Sequence, residues 1–254
     1  MTVHYTRVGE GPPLLLLHAT LSSSRQLRTL ASRLARQRTV VSVDRRGSGE
    51  SANEGPAGPI DVAVHVADLL EVMDAEAIAR PAVVGHSYGG CVALELAARR
   101  PNHVGPLFVY EPPYAPVASP AVRAGMDAVG RRTLEARDRG DLAEAALVFM
   151  EGVSGPAVVE ALSPGARARI GRAGQGAVAD ATLSGMEPEG LGRISSPVRI
   201  ATGGASHPLY REIAEGLQAR IPAADQVSLP GLDHMAPVLQ PDRVALAVEE
   251  FLQP

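Results

Sequence analysis

From Leu14 to Tyr110, short runs of apolar residues alternate with longer stretches of mixed polarity. Leu14-Leu15-Leu16-Leu17, after Pro12-Pro13, predicts a buried strand, and Thr39–Val43, residues 82–84 and Leu107–Tyr110 predict three more. Runs this short and apolar throughout suit strands covered on both faces. Between them, Val62, Val66, Leu69, Leu70 and Met73 recur at helical spacing and form one apolar stripe. Residues 91–99 also read as a helix. Strand alternating with helix predicts an α/β fold with a mostly parallel sheet flanked by helices.

The alternation breaks after Glu111-Pro112-Pro113. From about Tyr114 to Gly192 the pattern predicts helical segments and no strand. Asp141 is placed to cap a helix over 142–150, since its carboxylate can accept from the first free amides. Ser163-Pro164 can open the next, with proline where its missing N–H costs nothing. Strands are predicted again at 198–201 and 226–229, with helices at 209–221 and 242–252. The chain therefore divides into an α/β core, 1–113 and 193–254, interrupted by a helical insertion at 114–192. An insertion beside strand ends is sited to act as a cap or lid.

Composition narrows the function. With 45% hydrophobic and 20% charged residues in 254, the chain can bury a core, which excludes wholesale disorder. A net charge of -4 offers no field for nucleic acid or an anionic membrane. All 24 basic residues are Arg, a coding bias rather than a binding device. The single cysteine, Cys91, excludes an internal disulfide and fits a reducing compartment. No charged-then-apolar leader opens the sequence and no apolar run could span a bilayer, so a cytoplasmic, soluble chain is expected; either a monomer or a homodimer fits the sequence. No Cys/His cluster has zinc spacing, and Gly47-Ser48-Gly49 lacks the third glycine of a dinucleotide loop. Neither metal nor cofactor is expected.

The strongest chemical signal is Gly85-His86-Ser87-Tyr88-Gly89, set between a predicted strand and a predicted helix. That is the context of the G-x-S-x-G nucleophile elbow. The turn is so tight that the residues two positions either side of the serine must lack large side chains, and Gly85 and Gly89 meet that need. The serine hydroxyl would stand at the positive end of the following helix.

Two further segments extend the pattern: His18-Ala19-Thr20 after one strand and Asp44-Arg45-Arg46-Gly47-Ser48-Gly49-Glu50-Ser51 after the next. With these the chain resembles the α/β-hydrolase superfamily over nearly its whole length. The resemblance implies that Asp44, Arg46, Gly47, Gly49 and Ser51 shape a loop near the site without being catalytic. It also implies an oxyanion hole from two backbone amides, those of Thr20 and Tyr88. Ala19 departs from the family, where glycine is usual; alanine substitutes if the backbone there avoids positive φ. Serine at the elbow, rather than aspartate, sets the chain apart from the haloalkane dehalogenase and epoxide hydrolase branches.

A serine hydroxyl needs a base. Of seven histidines, His4 and His65 lie far from any predicted strand end. His86 sits within the elbow and is expected to point away from the nucleophile's side. His103 precedes a strand, and His207 precedes Pro208. His234, after the last strand and before the last helix, is the candidate general base, and its place after Ser87 follows the hydrolase order. The acid is less regular. In most relatives it follows the strand before the last, where this chain has Thr202-Gly203-Gly204-Ala205-Ser206-His207-Pro208 and no carboxylate. Asp233 adjoins the base and should diverge from it; Asp225 lies at the wrong strand end. Glu111 ends the strand that precedes the insertion, where some members of the superfamily keep their acid. The candidates are Glu111, or a Ser87–His234 dyad helped by Ser206 or water.

The expected activity is hydrolysis of a carboxylic ester or lactone, with an apolar acyl pocket formed by Leu147, Phe149, Met150 and Met186 of the insertion. A non-hydrolytic member of the same scaffold (cyclase, lyase, acyltransferase or cofactor-free haloperoxidase) and a receptor without turnover are the alternatives.

Overall fold

A computed structural model describes residues 3–54 and 56–253. Its elements run β1 Tyr5–Val8, β2 Pro13–Leu17, α1 Arg28–Leu34, β3 Thr39–Val43, α2 Val62–Ala75, β4 Ala82–His86, α3 Tyr88–Arg99 and β5 Leu107–Tyr110. The helices α4 Pro120–Asp138, α5 Leu142–Ser154, α6 Pro156–Glu160, α7 Pro164–Gly171 and α8 Gly174–Ala179 follow. The chain ends with β6 Val198–Gly203, α9 Leu209–Gln218, β7 Ala224–Leu229, α10 Ala236–Leu239 and α11 Pro241–Leu252.

The strands form one sheet in the order β1-β3-β2-β4-β5-β6-β7. Every neighbouring pair is parallel except β1 with β3. Both faces of β2 to β5 are buried, as the apolar runs require. Leu14 and Leu16 pack with Leu30, Leu34, Val244 and Val248 of α1 and α11. Leu15 and Leu17 point the other way, against Val66 and Leu69 of α2 and Leu94 of α3. Consecutive strand residues thus serve two different cores. β1 has no counterpart in the hydrophobic pattern. Thr6, Arg7 and Val8 are exposed, and an edge strand with one partner needs no apolar run.

Strand order reverses about β2, whose neighbours are β3 and β4. In open α/β sheets the crevice at the carboxyl end of such a switch point is where ligands bind. Helices α4 to α8 lie between β5 and β6 in sequence, with α5 packed on α4, α7 and α8. Their starts carry local signals: Asp141 accepts from the Glu144 amide at 2.8 Å, and Ser163 from the Ala166 amide at 3.2 Å ahead of Pro164. The segment is tied to the core where the amides of Ile60 and Val62 donate to the carbonyls of Ala179 and Ser184.

Candidate active site

Ser87 joins β4 to α3 with φ 52° and ψ −124°, a conformation that side-chain-bearing residues rarely hold. Strand β5 and the first turn of α3 fix it there. Its amide donates to the Tyr110 carbonyl at 2.9 Å and its own carbonyl accepts from Gly90 at 2.8 Å. A Cβ on Gly85 would come within 2.6 Å of the Gly89 carbonyl oxygen, and one on Gly89 within 2.6 Å of the Leu17 carbonyl oxygen. Both contacts are with backbone, which cannot step aside, so the two glycines are steric requirements of the turn.

Glu111 follows β5 and also has positive φ, 50°. Its carboxylate is fully buried. One oxygen accepts the Gly203 amide at 2.7 Å; the other accepts from His234 Nδ1, also at 2.7 Å. A carboxylate only accepts, so Nδ1 carries the proton and Nε2 is left with its lone pair. The His234 ring stacks on Tyr210, with centroids 4.6 Å apart and planes 9° from parallel. His86, next to Ser87, lies 5.0 Å from it between ring centroids.

Ser87 opens into a cavity of about 440 Å³, also lined by Thr20, Asp180, His207 and Tyr210. The rest of the wall is largely apolar, from Val122, Met126 and Val129 of α4, Phe149 and Val153 of α5, and Leu183 and Leu209. Thr20 follows β2, and its hydroxyl donates to Asp180 at 2.7 Å. Tyr88, the first residue of α3, is wholly buried.

Residues 14–248 match the profile of the "Alpha/beta hydrolase family". The chain belongs to this family. A solved alpha/beta hydrolase from Sphaerobacter thermophilus is 30% identical, with a TM-score of 0.78, and the match covers 99% of this chain and 96% of that one. A solved hydrolase from Pseudomonas aeruginosa is 28% identical, with a TM-score of 0.75 over 99% of this chain and 94% of the other. The soluble epoxide hydrolase of Corynebacterium sp. (strain C12) is 34% identical over 109 residues, 43% of this chain and 37% of that protein's length.

The other candidate acids are occupied elsewhere. Asp233 accepts from the Met235 amide at 2.9 Å, and Asp225 pairs with Arg199. Ser206 Oγ is buried with no hydrogen-bond partner among the described residues. Asp44 holds its loop by accepting from the amides of Ser24 and Glu50. Burial opposes that charge, but the donated hydrogen bonds keep the carboxyl below the usual aspartate range.

Several expectations need correction. His86 does not point away from the site: its Nε2 donates to the His234 carbonyl at 2.8 Å and so helps hold the loop carrying the base. Burial, then the nearby His234, depresses its pKa well below the usual value. His65 is distant in sequence but packs edge-on against Tyr88, with ring centroids 5.9 Å apart. Of the residues expected to line an acyl pocket, only Phe149 does; Leu147 lines a separate surface depression near Glu144. The sequence pattern does not mark Arg45, Asp180 or Tyr210 as site residues. Arg45 lay within a recognised motif, but Asp180 carried no sequence signal. Among the described residues no group of three or more His, Cys, Asp or Glu is arranged to hold a metal ion. No helix among them is long and apolar enough to cross a membrane.

Proposed function

We propose that the chain is a serine hydrolase of carboxylic esters or lactones bearing a neutral, apolar acyl group. Ser87 Oγ attacks the carbonyl carbon while His234 Nε2 takes its proton. The amides of Thr20 and Tyr88 hold the resulting oxyanion, each worth about 3 kcal/mol when well placed. Collapse of the adduct expels the alcohol, which leaves with the proton from His234, and the acyl group stays on Ser87. Water, deprotonated by His234, then attacks that ester, releases the acid and restores the serine. Glu111 keeps the imidazole in the productive tautomer and stabilises the imidazolium.

The observations that carry this reading are the 2.7 Å bond from His234 Nδ1 to a buried carboxylate and an elbow serine that opens into a largely apolar cavity. Other family members act on other bonds, as the name of the Corynebacterium relative indicates. A serine that opened an epoxide would be left as an unhydrolysable ether, whereas an acyl-serine ester returns to free enzyme with water. The acidic residue in the cavity wall, Asp180, is already paired with Arg45, so that guanidinium is committed and not free to take a carboxylate on the acyl group.

Hydrolysis of p-nitrophenyl esters of graded chain length, with fluorophosphonate labelling of Ser87, tests the reading. Ser87→Ala should fold and lose several orders of magnitude of turnover. Activity within about tenfold of wild type would sink the assignment. A wild type labelled at Ser87 that hydrolyses no ester would instead point to acyl transfer to another acceptor.

A further inference from the structure

The buried pair between Arg45 and Asp180 stands outside the proposed triad, yet it touches both residues assigned to the oxyanion hole. Both side chains are 1% exposed, and the guanidinium meets the carboxylate through two bonds, 2.9 and 2.8 Å. Asp180 Oδ2 also accepts the Thr20 hydroxyl at 2.7 Å. On its other side, the Arg45 guanidinium lies 4.8 Å from the centre of the Tyr88 ring. Arg45 further secures the loop that carries Thr20: its amide donates to His18 Nε2 at 3.0 Å, and its Nε to the His18 carbonyl at 3.3 Å. Since Nε2 accepts a backbone amide, Nδ1 bears the proton, and it donates to the Ala19 carbonyl at 2.7 Å. The next residue but one, Leu21, is held at φ 58°.

We propose that Arg45 and Asp180 are positioning residues for the oxyanion hole, a role that rests on the serine-hydrolase reading. The Thr20 hydroxyl is committed to Asp180, so it is not itself a donor to the oxyanion. What the bond does is hold the Thr20 backbone, and with it the amide, in one orientation. Donors stabilise a transition state only when they are aimed beforehand, so loosening this loop lowers turnover more than it weakens substrate binding. The charges fit the same task. A lone carboxylate beside Thr20 would repel a developing oxyanion, and the bidentate Arg45 cancels it. Because Asp180 follows α8, the helical segment that walls the cavity also braces the oxyanion loop.

Thr20→Val replaces the hydroxyl with a methyl and leaves the ion pair in place. It should lower kcat by about tenfold or more with KM within about threefold of wild type. Fluorophosphonate labelling of Ser87 should slow in parallel, and Thr20→Ser, which keeps the hydroxyl, should restore both to within about threefold. A purely structural tie would move melting temperature instead. Three results overturn the proposal while the hydrolase reading stands: a Thr20→Val kcat within about threefold of wild type, a loss confined to KM, or no rescue by serine. A wild-type chain that is never labelled at Ser87 overturns both.

Discussion

Among the described non-glycine residues with positive φ, two belong to the candidate triad, Ser87 at φ 52° and Glu111 at φ 50°. Each ends a central strand, and each has its amide bonded to a neighbouring strand: Ser87 to Tyr110 and Glu111 to Ala201. Such strain costs about 1–3 kcal/mol and persists where the surroundings enforce it. Ser87→Gly should therefore be more stable than Ser87→Ala by about 1 kcal/mol in urea unfolding, because alanine keeps the strain and glycine removes it. Equal stability would remove strain from the account of the elbow. For Glu111 the test is kinetic. Glu111→Gln retains shape but loses the charge that faces the imidazolium, so kcat should fall by about 10² to 10⁴. Ser206→Ala should change kcat less than about threefold, since Ser206 Oγ has no partner among the described residues. A Glu111→Gln variant keeping a third of wild-type turnover would leave His234 without a functional acid.

At the scale of elements, α4 and α5 decide what the cavity accepts. Gly125 of α4 lines it, and a Cβ built there meets nothing within 4 Å. Gly152 of α5 is the opposite case: its Cβ would come within 2.3 Å of a Val129 methyl, so it sets how closely the two helices approach. Gly125→Leu should fill cavity space without disturbing that crossing. The expected result is a fall of about tenfold or more in kcat/KM for an octanoyl ester relative to an acetyl ester. Melting temperature should rise by about 2 °C, because leucine is the better helix former. An unchanged chain-length ratio would mean that the acyl group lies elsewhere.

At the scale of the whole molecule, His18, His65 and His86 are buried among the described residues, and burial favours their neutral form. Burial, then Arg45, lowers the pKa of His18 to about 4, and burial drives His65 and His86 well below the usual value. Below pH 6.5 the unfolded chain binds protons that the folded chain refuses. Their contribution is intact above that pH and is lost as pH falls toward 4, with His18 alone accounting for at most about 3 kcal/mol. Urea unfolding should show stability falling between about pH 6.5 and 4.5, a window above most carboxylate titration. His18→Gln should be less stable at neutral pH and show a shallower slope. A flat wild-type profile would mean that these rings are not held neutral.

What the sequence determined by itself was what neighbouring residues enforce on one another. The elbow is legible because its steric demands fall on Gly85 and Gly89, two positions either side of the serine. The sheet is legible because strands buried on both faces must be apolar throughout, as 14–17 are, and β1 escaped because an exposed edge makes no such demand. Helix starts at Asp141 and Ser163 are readable for the same local reason. The tertiary structure alone decided which carboxylate meets His234. Glu111 stands 123 residues away and reaches across the end of β6, where the Gly203 amide takes its other oxygen. It also decided that Asp180 meets Arg45, 135 residues distant, and that Met126 and Val129 rather than Met150 and Met186 line the cavity. Hydropathy encodes whether a residue is buried. Which residues it meets depends on strand order and helix crossing, and those are settled only when the whole sheet and its insertion pack together.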